Sequence, residues 1–260
     1  MGILNVTPDS FSDGGKFNRP EKAIHHAQQM LEDGADWIDV GGESTRPGAK
    51  SVSVQEEIDR VMPVLEGIAG SLERFSIDTS KPEVAELALK AGVGMINDVT
   101  GFTNPQMLAL AGKYKPQVCV MHLKGDPKTM QNSPEYGDVV GEVLEFLNQQ
   151  ASLLRKQGLT SDQIWIDPGI GFGKTLEQNL EILRNLDAFT MGENPVLLGV
   201  SRKSFISKAM ELYIGEVSLG DRMPGSLAVQ TIGQLRGAKM LRVHDVKEAV
   251  QAAILTDLVG

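Results

Sequence analysis

The 260 residues include a single cysteine, Cys119, too few for an intrachain disulfide or a multi-cysteine zinc site. Disulfide-stapled scaffolds are excluded, and a reducing, cytoplasmic setting is expected. Positive charge is also scarce. With 25 Lys and Arg against 34 Asp and Glu the formal net charge is −9, so neither nucleic acid nor an anionic membrane is an expected partner. An anionic ligand would need basic residues gathered locally. No run approaches the ~18 consecutive apolar residues that cross a bilayer. Directly after Met1, the residues Gly2-Ile3-Leu4-Asn5 lack the basic and apolar regions of a secretory signal.

What is present is 41% hydrophobic residues, enough in a chain of this length to bury a substantial core. Eight short apolar runs lie at 1–6, 37–40, 75–77, 94–96, 118–121, 164–166, 196–200 and 240–243. Between them, apolar residues recur every three or four positions, as in Ala23, Ala27, Met30 and Leu31, in Val143, Leu147, Ala151 and Leu154, or in Leu176, Leu180 and Leu183. Strands alternating with amphipathic helices mark βαβ units, and no linker divides the series. The fold class is therefore α/β, one domain over 1–260, with eight units that fit a single TIM (β/α)8 barrel. A doubly wound open sheet is the alternative, because alternation does not show whether the sheet closes. Residues 201–239 are long enough for two helices, so an extra helix is expected between strands 7 and 8, with a break at Met223-Pro224-Gly225.

Polar residues follow the runs closely. If the sheet closes, they converge on the C-terminal mouth, where barrel enzymes place their sites. Residues 5–15 form a Pro-, Gly-, Ser- and Asp-rich loop longer than a β-to-α connection needs, with Phe11 as an apolar residue available to cover a flat ligand. Residues 41–48 combine glycines, which permit close backbone approach, with the guanidinium of Arg46. Asp78, Asn97 and Asp167 each end a run, and together they would form an acceptor-rich wall for a heterocycle that presents N–H groups. Strand alternation lets only one of Asn97 and Asp98 face inward, and Asn97 is assigned inward. A metal site or helix N-caps are the alternative uses, with Asp78 and Asp98 each able to cap the following helix, and capping an equal alternative for Asp78.

Residues 167–175 tempt a P-loop assignment, but the required first glycine is Pro168, and the three alternating glycines instead bring backbone and Phe172 close to a planar ligand. Arg242 and His244 stand two apart on an extended end and can grip one anion. With Arg46, Arg202 and Lys203 they make five cationic candidates for the mouth of a negatively charged protein. Cys119 reads as buried and inert, His25 and His26 as solvated.

Taken together, segments 5–15, 41–48, 76–80, 96–98, 167–174, 201–204 and 242–245 closely resemble the dihydropteroate synthase family of folate-pathway enzymes, in the family's order over nearly the whole chain. The resemblance implies a TIM barrel that condenses (7,8-dihydropterin-6-yl)methyl diphosphate with 4-aminobenzoate to give 7,8-dihydropteroate and diphosphate. It implies that Asp78, Asn97, Asp167 and Lys203 hold the pterin. Asn5 would bind Mg²⁺, Arg242 and His244 the diphosphate, and Arg46 would close over it. Asp13 would stabilise a pterin cation or orient the amine, which with Arg46 and Lys203 makes the catalytic set. Thr45, Pro47, Phe11, Phe172 and Ser204 would surround the aminobenzoate, which sulfonamide drugs imitate. A homodimer is expected on the same ground.

Two departures from the family pattern stand out. Met1 already lies within the first strand, so an uncovered barrel bottom is expected, and Ile170 stands where Phe is common. The rival readings are a pterin-binding methyltransferase, which passes a methyl group from a folate to a corrinoid protein, and a non-catalytic pterin-binding module.

Overall fold

All eight apolar runs become parallel strands. The structure, a computed structural model, describes residues 1–7, 20–44, 51–68, 70–125 and 135–260. In chain order these form β1 (Gly2–Asn5), α1 (Pro20–Glu32), β2 (Ile38–Gly41), α2 (Val54–Gly67), β3 (Phe75–Asp78), α3 (Pro82–Lys90), β4 (Met95–Asp98), α4 (Pro105–Tyr114), β5 (Gln117–Met121), α5 (Val139–Lys156), β6 (Ile164–Asp167), α6 (Leu176–Arg184), α7 (Asp187–Thr190), β7 (Leu197–Gly199), α8 (Ser204–Ile214), α9 (Met223–Leu235), β8 (Met240–Arg242) and α10 (Val246–Val259). Strands β1 to β6 pair in sequence order, and β7 pairs with β8.

Single bridges join the two sheets into a ring. Ile166 pairs with Val196 between β6 and the start of β7, and Gly2 pairs with Val243 between β1 and the end of β8. Backbone bonds support both seams: Ile166 N donates to Pro195 O at 3.0 Å, Ile3 N to Val243 O at 2.9 Å, and Val243 N to Met1 O at 2.9 Å.

Packing separates the barrel from the open-sheet alternative. One buried cluster joins outward strand residues such as Leu4, Val40, Ile77, Ile96 and Val118 to the helices. A second contains Met1, Met95, Cys119, Leu197 and Met240, flanked by Trp37 and Trp165, and no helix contributes to it. A doubly wound sheet is covered by helices on both faces; here one face packs only on itself, which is the interior of a closed barrel.

The helices follow their apolar stripes. In α5 the expected Val143, Leu147, Ala151 and Leu154 are all buried, and Asp138 caps the helix by accepting from Gly141 N. In α6 the stripe is rotated: Leu176, Leu180 and Leu183 are half-buried, while Ile182 and Asn179 are fully covered. The reason is Asn179, whose side chain is drawn inward to accept from Gly171 N at 2.6 Å. The long segment before β8 holds two helices as expected, but the break lies at Gly215, where φ is +82°. Met223 and Pro224 instead open α9, a position where proline's missing N–H costs no bond. No helix among the described residues is long and apolar enough to cross a membrane.

Candidate active site

The interior changes character toward the C-terminal strand ends. The register sets Asn5 beside Gly41, Gly41 beside Asp78, and Asp78 beside Asn97. Two strand-end glycines mark where polar groups gather. A Cβ on Gly41 would lie 3.6 Å from Asp78 Oδ2 and 3.8 Å from Asn5 Oδ1; one on Gly199 would lie 3.6 Å from Asp167 Oδ2 and 3.8 Å from Lys203 Nζ.

Arg242 ties the β8 end to the acidic side of the barrel. Its Nε donates to Asp39 Oδ2 at 2.6 Å and its Nη2 to Asp78 Oδ2 at 2.7 Å. Asn97 Nδ2 donates to the same Asp39 oxygen at 2.9 Å. Asp39 is wholly buried, and its other oxygen has no hydrogen-bond partner among the described residues. An orphaned buried acceptor typically costs about 1–3 kcal/mol. Burial pushes the Asp78 carboxyl up to about 7 despite the opposing pull of Arg242. Burial lowers the guanidinium's affinity for its proton, but Asp39 and Asp78 outweigh this and hold Arg242 charged.

Asp78 therefore does not cap a helix. The N-cap position of α3 is Lys81, without a side-chain cap bond. Asp98 instead closes the turn after β4, accepting from Thr100 N at 2.8 Å and Phe102 N at 2.9 Å, which leaves Asn97 as the inward residue.

Across the mouth, the loop after β6 is held from within. Asp167 Oδ1 accepts from Gly169 N at 2.7 Å. Lys174, only 2% exposed, donates to Gly169 O at 3.0 Å and Phe172 O at 3.1 Å and meets His122 Nδ1 at 3.0 Å. The lysine that gave this segment its P-loop look is thus a clasp on its own loop. The glycines are required by backbone: Gly169 has φ +67°, and a Cβ there would sit 1.9 Å from His122 O. Burial and the nearby Lys174 hold His122 near 3, so its ring is neutral and Nδ1 can accept. Burial, reinforced by Lys203, brings the Lys174 amine down to about 7.

Lys203 joins this loop to the site. Its ammonium donates to Ile170 O and lies 4.6 Å from the Phe172 ring centroid. Burial lowers it to about 8, against the raising effect of Asp167. Burial in turn raises Asp167. Ser204, the first residue of α8, is exposed.

His244 is half-buried, with Nδ1 3.0 Å from Ser201 Oγ. Of the five cationic candidates, Arg242, Lys203 and His244 stand at or just beyond the strand ends. Arg202 does not serve the mouth: its side chain is committed to Asp245, with Nε 2.9 Å from Oδ2. Arg46 lies outside the described residues, as do Phe11, Asp13, Thr45 and Pro47. Cys119 is buried with its thiol pushed well up by burial, and His25 and His26 are exposed on α1, as expected.

Three groups escaped the sequence reading. Asp39 sits inside an apolar run, where a lone carboxylate on the inward strand face was the available signal. For Lys174 the sequence offers only a P-loop spacing that fails at Pro168. Lys81 bridges Glu43 and Glu57, while Glu43 Oε1 also accepts from Val52 N at 3.2 Å, which ties the end of β2 to the residues just before α2. No local spacing announces that bridge.

Among the described residues no cluster of three or more His, Cys, Asp or Glu could hold a metal. The oxygen of Asn5 nevertheless suits Mg²⁺, which keeps most of its waters and binds through one or two protein oxygens plus substrate phosphates.

An α/β barrel with carboxylates and an amide at its strand ends, and cations beside them, defines a class of enzyme that binds a flat, donor-rich heterocycle next to an anion. The chain belongs to the pterin-binding enzyme family, whose model matches residues 1–244, and within it to the dihydropteroate synthases. It is 47% identical over 253 residues to the dihydropteroate synthase of Escherichia coli K12, covering 97% of this chain and 88% of that one. The Clostridium difficile dihydropteroate synthase, solved in the presence of pteroic acid, superposes with a TM-score of 0.88 at 43% identity, covering 99% of this chain and 95% of that one. The Xanthomonas albilineans dihydropteroate synthase, solved with 4-aminobenzoic acid, gives 0.89 at 41%, covering 99% and 91%.

Proposed function

We propose that the mouth condenses (7,8-dihydropterin-6-yl)methyl diphosphate with 4-aminobenzoate. The arylamine nitrogen bonds to the exocyclic methylene, the C–O bond to diphosphate breaks, and the amine gives up one proton. The observation that carries this reading is the juxtaposition of an acceptor wall with the half-buried cations Lys203 and Arg242, and with His244 beside them, at one ring of strand ends.

Asp78 and Asp167 accept from pterin N–H groups, Asn97 both donates and accepts, and Lys203 donates to the ring carbonyl. Arg242 and His244 bind the diphosphate, and Arg46 closes over it. Asn5 would hold a Mg²⁺ ion that neutralises charge on the diphosphate oxygens. Asp13 stabilises positive charge on the pterin or orients the amine. Phe11, Thr45, Pro47, Phe172 and Ser204 flank the aminobenzoate. The protein supplies positioning and fixed charges more than covalent chemistry. The methyltransferase reading has no comparable use for Arg242 and His244 together, and a non-catalytic module has none for cations set to take up a leaving diphosphate.

A homodimer is supported by exposed apolar side chains on neighbouring α9 and α10, among them Ile232, Leu235, Ile254 and Leu255. A cytoplasmic setting is supported by the single buried cysteine.

The test is diphosphate release from the pterin diphosphate. It is expected to require both 4-aminobenzoate and Mg²⁺. Folded protein that shows no release with both present would overturn the assignment, and release that persists undiminished in EDTA would remove the metal from it.

A further inference from the structure

We infer that Asp39 is a positioning residue that sets the pterin specificity of the mouth by fixing the orientation of Asn97 and Arg242, an inference that rests on the proposed pterin site. One oxygen, Asp39 Oδ2, accepts from both Asn97 Nδ2 at 2.9 Å and Arg242 Nε at 2.6 Å. The carboxylate is wholly buried and one strand removed from the pterin wall, with Gly41, the next inward residue of β2, between it and the mouth.

An asparagine amide can rotate by half a turn and exchange its donor and acceptor ends at almost no steric cost. Against a carboxylate only one orientation is tolerable, because the alternative sets oxygen against oxygen. Asp39 therefore commits one N–H of Asn97. The groups left for a ligand are its carbonyl oxygen and its second N–H, in a fixed order. The same oxygen, with Asp78 Oδ2 at 2.7 Å from Nη2, takes two N–H groups of Arg242 and fixes the plane of the guanidinium. Asp39 thus acts through its neighbours rather than through the ligand.

A buried carboxylate that served only to balance Arg242 would affect stability alone. A positioning role is separable by a double-mutant cycle. Asp39→Ala, Asn97→Ala and the double variant are titrated calorimetrically with pteroic acid, and steady-state KM is measured for both substrates, with melting temperature as the fold control. Asp39→Ala is expected to weaken pteroic acid binding at least tenfold and to raise KM for the pterin diphosphate, with KM for 4-aminobenzoate within twofold. In the Asn97→Ala background its effect on pteroic acid should shrink to threefold or less. Equal losses in both backgrounds, no loss in either, or a parallel rise of both KM values would overturn the inference. If Asp39→Ala does not fold, Asp39→Asn replaces it under the same criterion, with a smaller expected loss of three- to tenfold. If wild-type protein fails to bind pteroic acid, it is the pterin site itself that fails, so the two failures are distinguishable.

Discussion

The two ends of the barrel interior are built from the same strands and differ by a step of two residues. On β4 the lower inward residue is Met95 and the upper is Asn97; on β8 they are Met240 and Arg242. The lower layer is a plug of methionine, leucine and cysteine to which no helix contributes a residue. The upper layer holds Asp39, Asp78, Asn97, Asp167 and Arg242, with an unpaired buried oxygen and carboxyls displaced upward. Packing is satisfied below and charge is left poised above. Stability and specificity are divided along the strand axis, so substitutions two residues apart should have different consequences.

The largest effect is expected from Arg242→Met, which strips the cation from two buried carboxylates. Leaving a buried charge unpaired costs about 3–5 kcal/mol. Denaturant unfolding should show that loss, together with abolished turnover; a variant of unchanged stability would mean that the Asp39–Arg242–Asp78 network is not a unit.

Lys174→Met comes next. Three backbone carbonyls, of Gly169, Phe172 and His122, and His122 Nδ1 lose their shared donor, for a cost of about 2–4 kcal/mol from the unmade bonds. Because the loop carries Asp167 and Phe172, pteroic acid affinity should fall with stability. Weakened stability with intact affinity would detach the clasp from the site.

A smaller effect is expected from pH. Pterin N–H groups need an ionised Asp78 and the pterin carbonyl a charged Lys203. Affinity should fall as pH drops through about 7, where Asp78 takes up a proton, and fall again as pH rises through about 8, where Lys203 loses one. Asp78→Asn should remove the acid limb and leave the alkaline one. Calorimetry across pH 5.5–9.5, a range set by roughly one and a half units on either side of these values, reads both limbs; an acid limb that survives in Asp78→Asn belongs to another group.

The smallest effect belongs to the lower layer. Cys119→Ala removes one buried sulfur, for about 1 kcal/mol of stability. Both KM values should stay within twofold, and a larger kinetic change would blur the division between layers.

Much of this architecture was legible beforehand because it is local. Each strand was a contiguous apolar run, and α5 kept its stripe because nothing polar competes for its buried face. Asp78, Asn97 and Asp167 were legible because strand ends point at the mouth of a closed sheet. What escaped depends on partners distant in sequence. Asp39 is explained by Arg242, 203 positions away, and Lys174 by His122, 52 away. The rotated face of α6 follows from Asn179 bonding back to Gly171 N, which apolar periodicity cannot register. The misplaced break before α9 reflects proline's two uses: Pro224 reads as an interruption but starts a helix, and Gly215 ends the previous one.

The division between layers is tested most directly by one paired measurement on β4, with melting temperature and pteroic acid affinity compared for Met95→Ala and Asn97→Ala. Met95→Ala should lose about 2–4 kcal/mol of stability and keep its affinity. Asn97→Ala should lose tenfold or more in affinity and only about 1 kcal/mol of stability, because Arg242 still donates to the Asp39 oxygen that loses the amide. If the two variants lose stability and affinity in the same proportion, the barrel interior is one cooperative unit and its mouth is not a separate recognition layer.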